Sequence, residues 1–200
     1  MNQKQPATKL ILASSSIYRR QLLERLQISF EVASPNIDES AFPQEKAKAL
    51  SLRLAQTKAL AIAKLNADAW VIGSDQVAEC AGQVIGKPGT HEKALAQLKQ
   101  MRGANVDFYT ALCLMRGEVC MLTEVSTQVT FRNLPDAVLE AYLQIEKPYD
   151  CAGSAKSEGL GIILLEKIHS DDPTALIGLP LIALSQFLRA AGFQIPFHPN

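Results

Sequence analysis

Three stretches of the chain gather residue types that bind anions or move protons. Ser14-Ser15-Ser16 runs into a segment with Arg19 and Arg20 near its start. If that segment is a helix, its first turn offers free N–H groups and the positive dipole end, and the hydroxyls add donors, a combination that suits phosphate. Cations in a first helical turn oppose the dipole, and a bound anion would offset that cost. The plainer alternative is a serine cap with solvated arginines. Asp75 follows a short apolar run, Trp70-Val71-Ile72-Gly73, and strand ends are where open α/β sheets place ligands. A carboxylate there can activate water or hold a metal, or simply form a turn. Asp38-Glu39 is a second acidic pair, open to the same two readings. Lys58 and Lys87 supply further cations, although Gly86-Lys87-Pro88 lacks the frame of a Walker loop.

The elements that must position these residues follow from periodicity and breakers. Lys9 to Ala13 reads as a strand, Ile17 to Gln27 as a helix with Leu22, Leu23 and Leu26 on one face, and Phe30 to Ala33 as a short strand broken by Ser34-Pro35-Asn36. A long helix spans Gln44 to Leu65, and Trp70 to Gly73 is a short buried strand. Val77 through Gly82 to Val84 suggests a small hairpin. After the turn Gly86 to Gly89, Thr90 caps a helix to Met101. Val106 to Met115 and Val119 to Phe131 read as long antiparallel strands. Pro135 opens a helix ending near Glu146. A glycine-bearing loop (Cys151 to Gly161), a strand (Ile162 to Ile168) and a helix from Pro180 to Ala191 complete the chain. Interleaved strands and helices predict an α/β fold with a mixed sheet.

Composition narrows the function classes. The chain has 200 residues, 48% of them apolar, with 20 basic and 20 acidic side chains. That is one globular domain, 1–200, with no need of a disulfide or metal staple. Zero net charge argues against generic nucleic-acid binding, which rests on many phosphate contacts. Yet the first hundred residues hold 13 Lys/Arg against 9 Asp/Glu and the second hundred 7 against 11, so an anion site should draw its cations from the first half. No apolar run reaches membrane-spanning length, and the polar stretch Met1 to Lys9 lacks a signal-peptide core. Cys80, Cys113, Cys120 and Cys151, without CxxC spacing, read as buried free thiols in a reducing, cytoplasmic compartment. His91, His169 and His198 are too scattered for a histidine-rich zinc site.

In order along the chain, Leu12-Ala13-Ser14-Ser15-Ser16-Ile17-Tyr18-Arg19-Arg20, Ile37-Asp38-Glu39, Leu54-Ala55-Gln56-Thr57-Lys58-Ala59, Gly73-Ser74-Asp75-Gln76, Gly86-Lys87-Pro88 and Gly178-Leu179-Pro180 resemble the motifs of the Maf family of nucleotide pyrophosphatases. The resemblance covers about Lys9 to Ala191. It implies an elongated mixed sheet with flanking helices and two lobes around a central cleft, similar to the inosine-triphosphate pyrophosphatases. It also implies hydrolysis of a nucleoside triphosphate to the monophosphate and pyrophosphate with a divalent cation, Mg2+ or Mn2+, and suggests a homodimer. Carried over by motif, Asp75 is the general base and Glu39 a metal ligand, while Ser14, Ser16, Arg19, Lys58 and Lys87 hold the phosphates. A metal and cations would neutralise the triphosphate while a carboxylate deprotonates water.

Three sites depart from the common pattern: Ile17-Tyr18 stands for Pro-Arg, Gln76 for Thr, and Glu158 for Gln. As a set they resemble the subfamily acting on 7-methyl-GTP, although that subfamily usually has Pro-Trp at Ile17-Tyr18. The chemistry of the side chains points the same way. A 7-methylguanine ring is positively charged, so Tyr18 would gain stacking and cation–π attraction. An ionised Glu158 only accepts, matching the two adjacent donors of a guanine edge but not a pyrimidine. Gln76 is expected to help position base or ribose. Two alternatives remain: dTTP/UTP specificity within the family, or a non-catalytic nucleotide-binding regulator of septum formation.

Overall fold

A computed structural model describes residues 9–195; the polar stretch up to Thr8, and His198, lie outside the described residues. The elements in order are β1 (Leu10–Ala13), α1 (Ile17–Glu24), β2 (Glu31–Ala33), α2 (Ala47–Ala63), β3 (Trp70–Cys80), β4 (Gln83–Ile85), α3 (His91–Met101), β5 (Asn105–Arg116), β6 (Val119–Phe131), α4 (Asp136–Glu146), β7 (Leu165–Ser170) and α5 (Leu181–Ala190). The strands form one mixed sheet in the order β2-β1-β3-β5-β6-β7, with β4 as a hairpin on β3. This is the expected α/β class with flanking helices. β1 runs parallel to β2 and to the first half of β3, whereas β3, β5, β6 and β7 pair antiparallel.

Alternation along β3 explains the layers, since successive side chains point to opposite faces. Val71, Gly73 and Val77 face α2, which lays its stripe of Leu50, Leu54, Ala55, Ala59 and Ile62 on the sheet. A Cβ on Gly73 would collide with the Ala55 carbonyl and lie 2.7 Å from the Ala59 nitrogen. The missing side chain is what lets α2 settle so close. On the other face the apolar side chains fall into two clusters. Ile72, Leu112 and Leu114 pack against α1 and α5; Ala78, Cys80, Phe108 and Val129 pack against α3 and α4. Between them the same face carries Ser74, Gln76 and Thr110, and there the cleft opens.

Two element boundaries and the burial of two cysteines differ from expectation. β3 does not stop at Gly73 but continues to Cys80, so Asp75 lies in mid-strand opposite Ala111 of β5. The polar run Ser74-Asp75-Gln76 looked like a turn because its side chains are polar; its backbone is held by the β5 ladder. The strand end expected there belongs to β1, which turns away at Ser14 after pairing Ala13 with Gly73. Residues 160–164 form a 3₁₀ turn rather than strand, and β7 starts at Leu165, because Gly159 and Gly161 on either side of Leu160 break extended pairing. The cysteines are free, but only Cys80 and Cys113 are buried. Cys120 is exposed at the hairpin end of β6, where residues 119–124 are at most half-buried, and Cys151 is half-buried against the cleft. Among the described residues no helix is long and apolar enough to cross a membrane.

Candidate active site

The cleft encloses about 340 Å³, enough for a nucleotide-sized molecule. Its wall includes Gln76 from one face of β3 and Lys58 from the other, so it wraps round the strand edge that β1 leaves uncovered beyond Gly73. Ser14, Ser16, Tyr18, Arg19, Glu39, Lys87 and Glu158 also line it. Asp75 does not; it is 6% exposed and lies beneath Lys58.

The β1–α1 turn is wired from within. Ser16 is the N-cap of α1, its hydroxyl accepting from the Arg19 N–H at 3.4 Å. The Ser14 hydroxyl accepts from the Ser16 N–H at 3.1 Å and lies 3.5 Å from Arg19 Nη1. Arg19 Nε donates to the Gly178 carbonyl at 2.8 Å. The serines thus cap the helix and orient a guanidinium into the cleft at the same time. Burial pulls Arg19 below its ordinary value, while the charges of Asp75 and Glu39 push it back; a guanidinium stays charged throughout. Arg20 takes no part: it pairs with Glu24 on the exposed side of α1 at 2.9 Å, which answers its unfavourable position on the dipole without any ligand.

Lys58 occupies a core-facing position of α2 in line with Leu54 and Ile62. Its ammonium reaches Asp75 Oδ1 at 2.6 Å and Glu39 Oε1 at 2.9 Å. Burial lifts the Asp75 carboxyl above the usual aspartate range, and the Lys58 and Arg19 charges offset this only in part. Of the Asp38-Glu39 pair, Asp38 closes a local turn by accepting from the Ser40 N–H; only Glu39 turns to the cleft. The loop carrying Glu39 is strapped to α2 by Arg53, which grips Glu45 with two bonds of 2.7 Å and donates to the Ser40 carbonyl at 2.9 Å.

The opposite wall depends on residues 172–182, which sequence reasoning left largely unread. The Gln76 amide nitrogen lies 2.9–3.0 Å from Thr110 Oγ1 and the Ala175 and Leu176 carbonyls, so Gln76 anchors this segment rather than pointing free into the cleft. Ser74 bonds the Gly178 carbonyl at 3.0 Å. Gly178 adopts φ 122°, a conformation that favours glycine, and so turns one carbonyl toward both Ser74 and Arg19. The segment is fixed by Asp172, 1% exposed, whose carboxylate accepts from the Thr174 N–H and hydroxyl and from the Ile182 N–H. An Asp-Pro-Thr run shortly before a Gly-Leu-Pro turn is the signal that could have flagged it. Tyr18 is half-buried, and burial pushes its phenol up to about 12, so it is a neutral ring at working pH. Glu158 and Lys87 are exposed.

Among the described residues no group of three metal-ligating side chains converges. What does converge is Glu39 and Asp75 on one ammonium, marking a place where the fold already concentrates negative charge on a cation. One carboxylate completed by substrate phosphate oxygens is a donor set that magnesium uses, and Glu39, half-exposed on the cleft wall, has the chemistry for it.

A family model described as "Maf-like protein" matches residues 9–191. The chain is 62% identical over 186 residues to a protein of Cupriavidus metallidurans named 7-methyl-GTP pyrophosphatase, covering 92% of this chain and 94% of that one. It is 60% identical over 192 residues to one of the same name from Paraburkholderia xenovorans, covering 94% of each. Among solved structures, a Ham1 protein of Staphylococcus aureus aligns with a TM-score of 0.46 at 14% identity, over 63% of this chain and 73% of that one.

Proposed function

The chain belongs to the Maf family, and from that premise we propose that it hydrolyses 7-methyl-GTP to 7-methyl-GMP and pyrophosphate. The observation that carries the reading is the Lys58 ammonium held between Asp75 and Glu39 at the edge of a cleft that also presents Arg19 and Lys87. A triphosphate entering this cleft meets three cations and gives Lys58 a competing anionic partner. Asp75, with its affinity for a proton raised by burial, is then the group placed to accept the proton of an attacking water. Arg19 and Lys87 stabilise charge as it develops on the phosphates. Glu39, with substrate phosphate oxygens, would hold the divalent ion, which when bound would supply neutralisation of the triphosphate.

The choice of base rests on Tyr18 and Glu158, with Gln76 fixing the wall at residues 175–176, together with the names of the relatives. Phe108, Val129 and Phe131, almost fully buried in the core, also border the cleft. The four free cysteines, with Cys113 and Cys120 unbonded at 3.7 Å, support a reducing, cytoplasmic setting. The test is a panel of 7-methyl-GTP, GTP, dTTP and UTP with Mg2+ or Mn2+, reading pyrophosphate release. 7-Methyl-GTP should lead and the pyrimidines trail. Asp75→Asn should lower kcat by about 10²–10⁴-fold with its fold intact. Pyrophosphate release by a folded Asn variant at the wild-type rate would remove Asp75 from its role. Equal rates on 7-methyl-GTP and dTTP would overturn the substrate assignment.

A further inference from the structure

Beside the cleft, a network centred on Lys156 joins α4 to Tyr18. Lys156 Nζ stands 5.7 Å from the centroid of the Tyr18 ring, inside the range of cation–π attraction. It is held from behind by Glu146, the last residue of α4, at 3.5 Å from Oε1 and 3.4 Å from the main-chain carbonyl. The other Glu146 oxygen accepts from the Leu160 N–H at 2.9 Å. Gly159 permits the approach, since a Cβ there would lie 2.9 Å from that carboxylate. The Lys156 N–H donates to the hydroxyl of buried Tyr142 at 3.1 Å. Both ends of the 156–160 loop are therefore pinned to α4, and the lysine cannot swing freely: its side chain is 16% exposed.

We infer that Lys156 is a specificity-determining residue: its ammonium, fixed against Tyr18, tempers the ring's attraction for a positively charged base. The inference rests on Tyr18 being the platform for the base. A cation on either face of an aromatic ring draws on the same quadrupole, so a resident ammonium weakens the pull on a second cation. It also repels that cation directly through a partly desolvated wall. Both effects act on charge and leave the shape of the base unread. A neutral guanine meets neither, so the lysine lowers the preference for the methylated over the plain nucleotide without closing the site to either. Glu146 shares the lysine's charge and limits the effect.

The experiment compares kcat/KM for 7-methyl-GTP, GTP and 7-methyl-7-deaza-GTP, which carries the methyl group on an uncharged ring. It is run at mildly acidic pH, where the methylated base keeps its N1 proton and its full charge. Lys156→Met should raise the 7-methyl-GTP to GTP ratio about two- to fivefold and leave the 7-methyl-7-deaza-GTP to GTP ratio unchanged. Lys156→Arg, which keeps the charge, should hold the wild-type ratio. Lys156→Gln is a second neutral variant, and melting curves confirm that each protein is folded. Tyr18→Leu separates the two levels of argument. If it leaves the 7-methyl-GTP to GTP ratio at the wild-type value, Tyr18 is no platform and the inference falls with that reading. If it narrows the ratio while Lys156→Met and Lys156→Gln do not raise it, the inference alone is overturned. An equal rise on the uncharged analogue would also overturn it, since shape rather than charge would then be responsible.

Discussion

Replacing Lys58 by Met should separate its electrostatic work from its packing. The side chain of Lys58 is 7% exposed and that of Asp75 8%, and their charged atoms are 2.6 Å apart. An opposite charge this close holds a carboxyl pKa down by about 1–3 units, equal to roughly 1.4–4 kcal/mol. Methionine fills similar volume and removes the charge, leaving Asp75 with the burial that raises its pKa and only Arg19 to oppose it. Two readouts follow. The acid limb of kcat/KM, below which the base is protonated, should move up by about 1–3 pH units. The pH dependence of stability, already present in the wild type because Asp75 is raised there, should become steeper with the same sign. A carboxyl whose folded pKa exceeds its unfolded value binds its proton more tightly when folded, so the folded state is favoured at low pH and loses ground as pH rises through the folded value. Near neutral pH the variant should melt roughly 3–16 °C below the wild type, taking 2–4 °C per kcal/mol for a chain this long, and the gap should close toward the ordinary aspartate range. Glu39, half-exposed, adds little to either figure because solvent screens it. An unmoved acid limb together with a pH-independent melting difference would refute the coupling of Lys58 to Asp75.

The remaining expectations are narrower. Gly73→Ala places a methyl group against the backbone of α2, so it should cost about 3 kcal/mol, the upper end for overpacking, and lift Lys58 away from Asp75; an unchanged melting temperature would show that α2 can retreat freely. Glu158→Gln should reduce the preference for GTP over UTP by about fivefold, the low end for a lost polar partner because Glu158 is exposed,; competition between the two nucleotides measures it. Lys87→Ala should lower kcat as well as raise KM, because charge on the phosphates grows toward the transition state. A change in KM alone would make Lys87 a binding residue only.

Much of the fold is legible because its elements are strongly patterned. The long Ala- and Leu-rich helix, the antiparallel pair around Arg116-Gly117-Glu118 and the helix opened by Pro135 all stand close to where periodicity puts them. The failures share a physical cause. Ser74-Asp75-Gln76 reads as a turn since nothing local marks it as strand; only pairing with β5, more than thirty residues away, holds it extended. Residues 172–177 go unread for a similar reason. Asp172 closes the segment locally, but its place against the sheet is dictated by Gln76 and Ser74 reaching across from β3, long-range bonds that no window of sequence contains.

The candidate site was legible in its members but not in its wiring. Lys58 carries the clearest signal in retrospect: a lysine on the same helical stripe as Leu54 and Ile62 must either be paired or face a cavity. Here it does both, and its partner sits on the strand position that faces it. That juxtaposition follows from two local facts. Gly73 brings α2 close enough for a lysine to reach the strand, and β1 ends opposite Gly73, so the strand edge beyond is open to the cleft. Extending β1 by two residues would have covered Asp75's edge and closed the route from Lys58 to Gln76. The site therefore exists where a parallel strand stops short of its neighbour, and the polar residues of β3 begin at the position where that cover is lost.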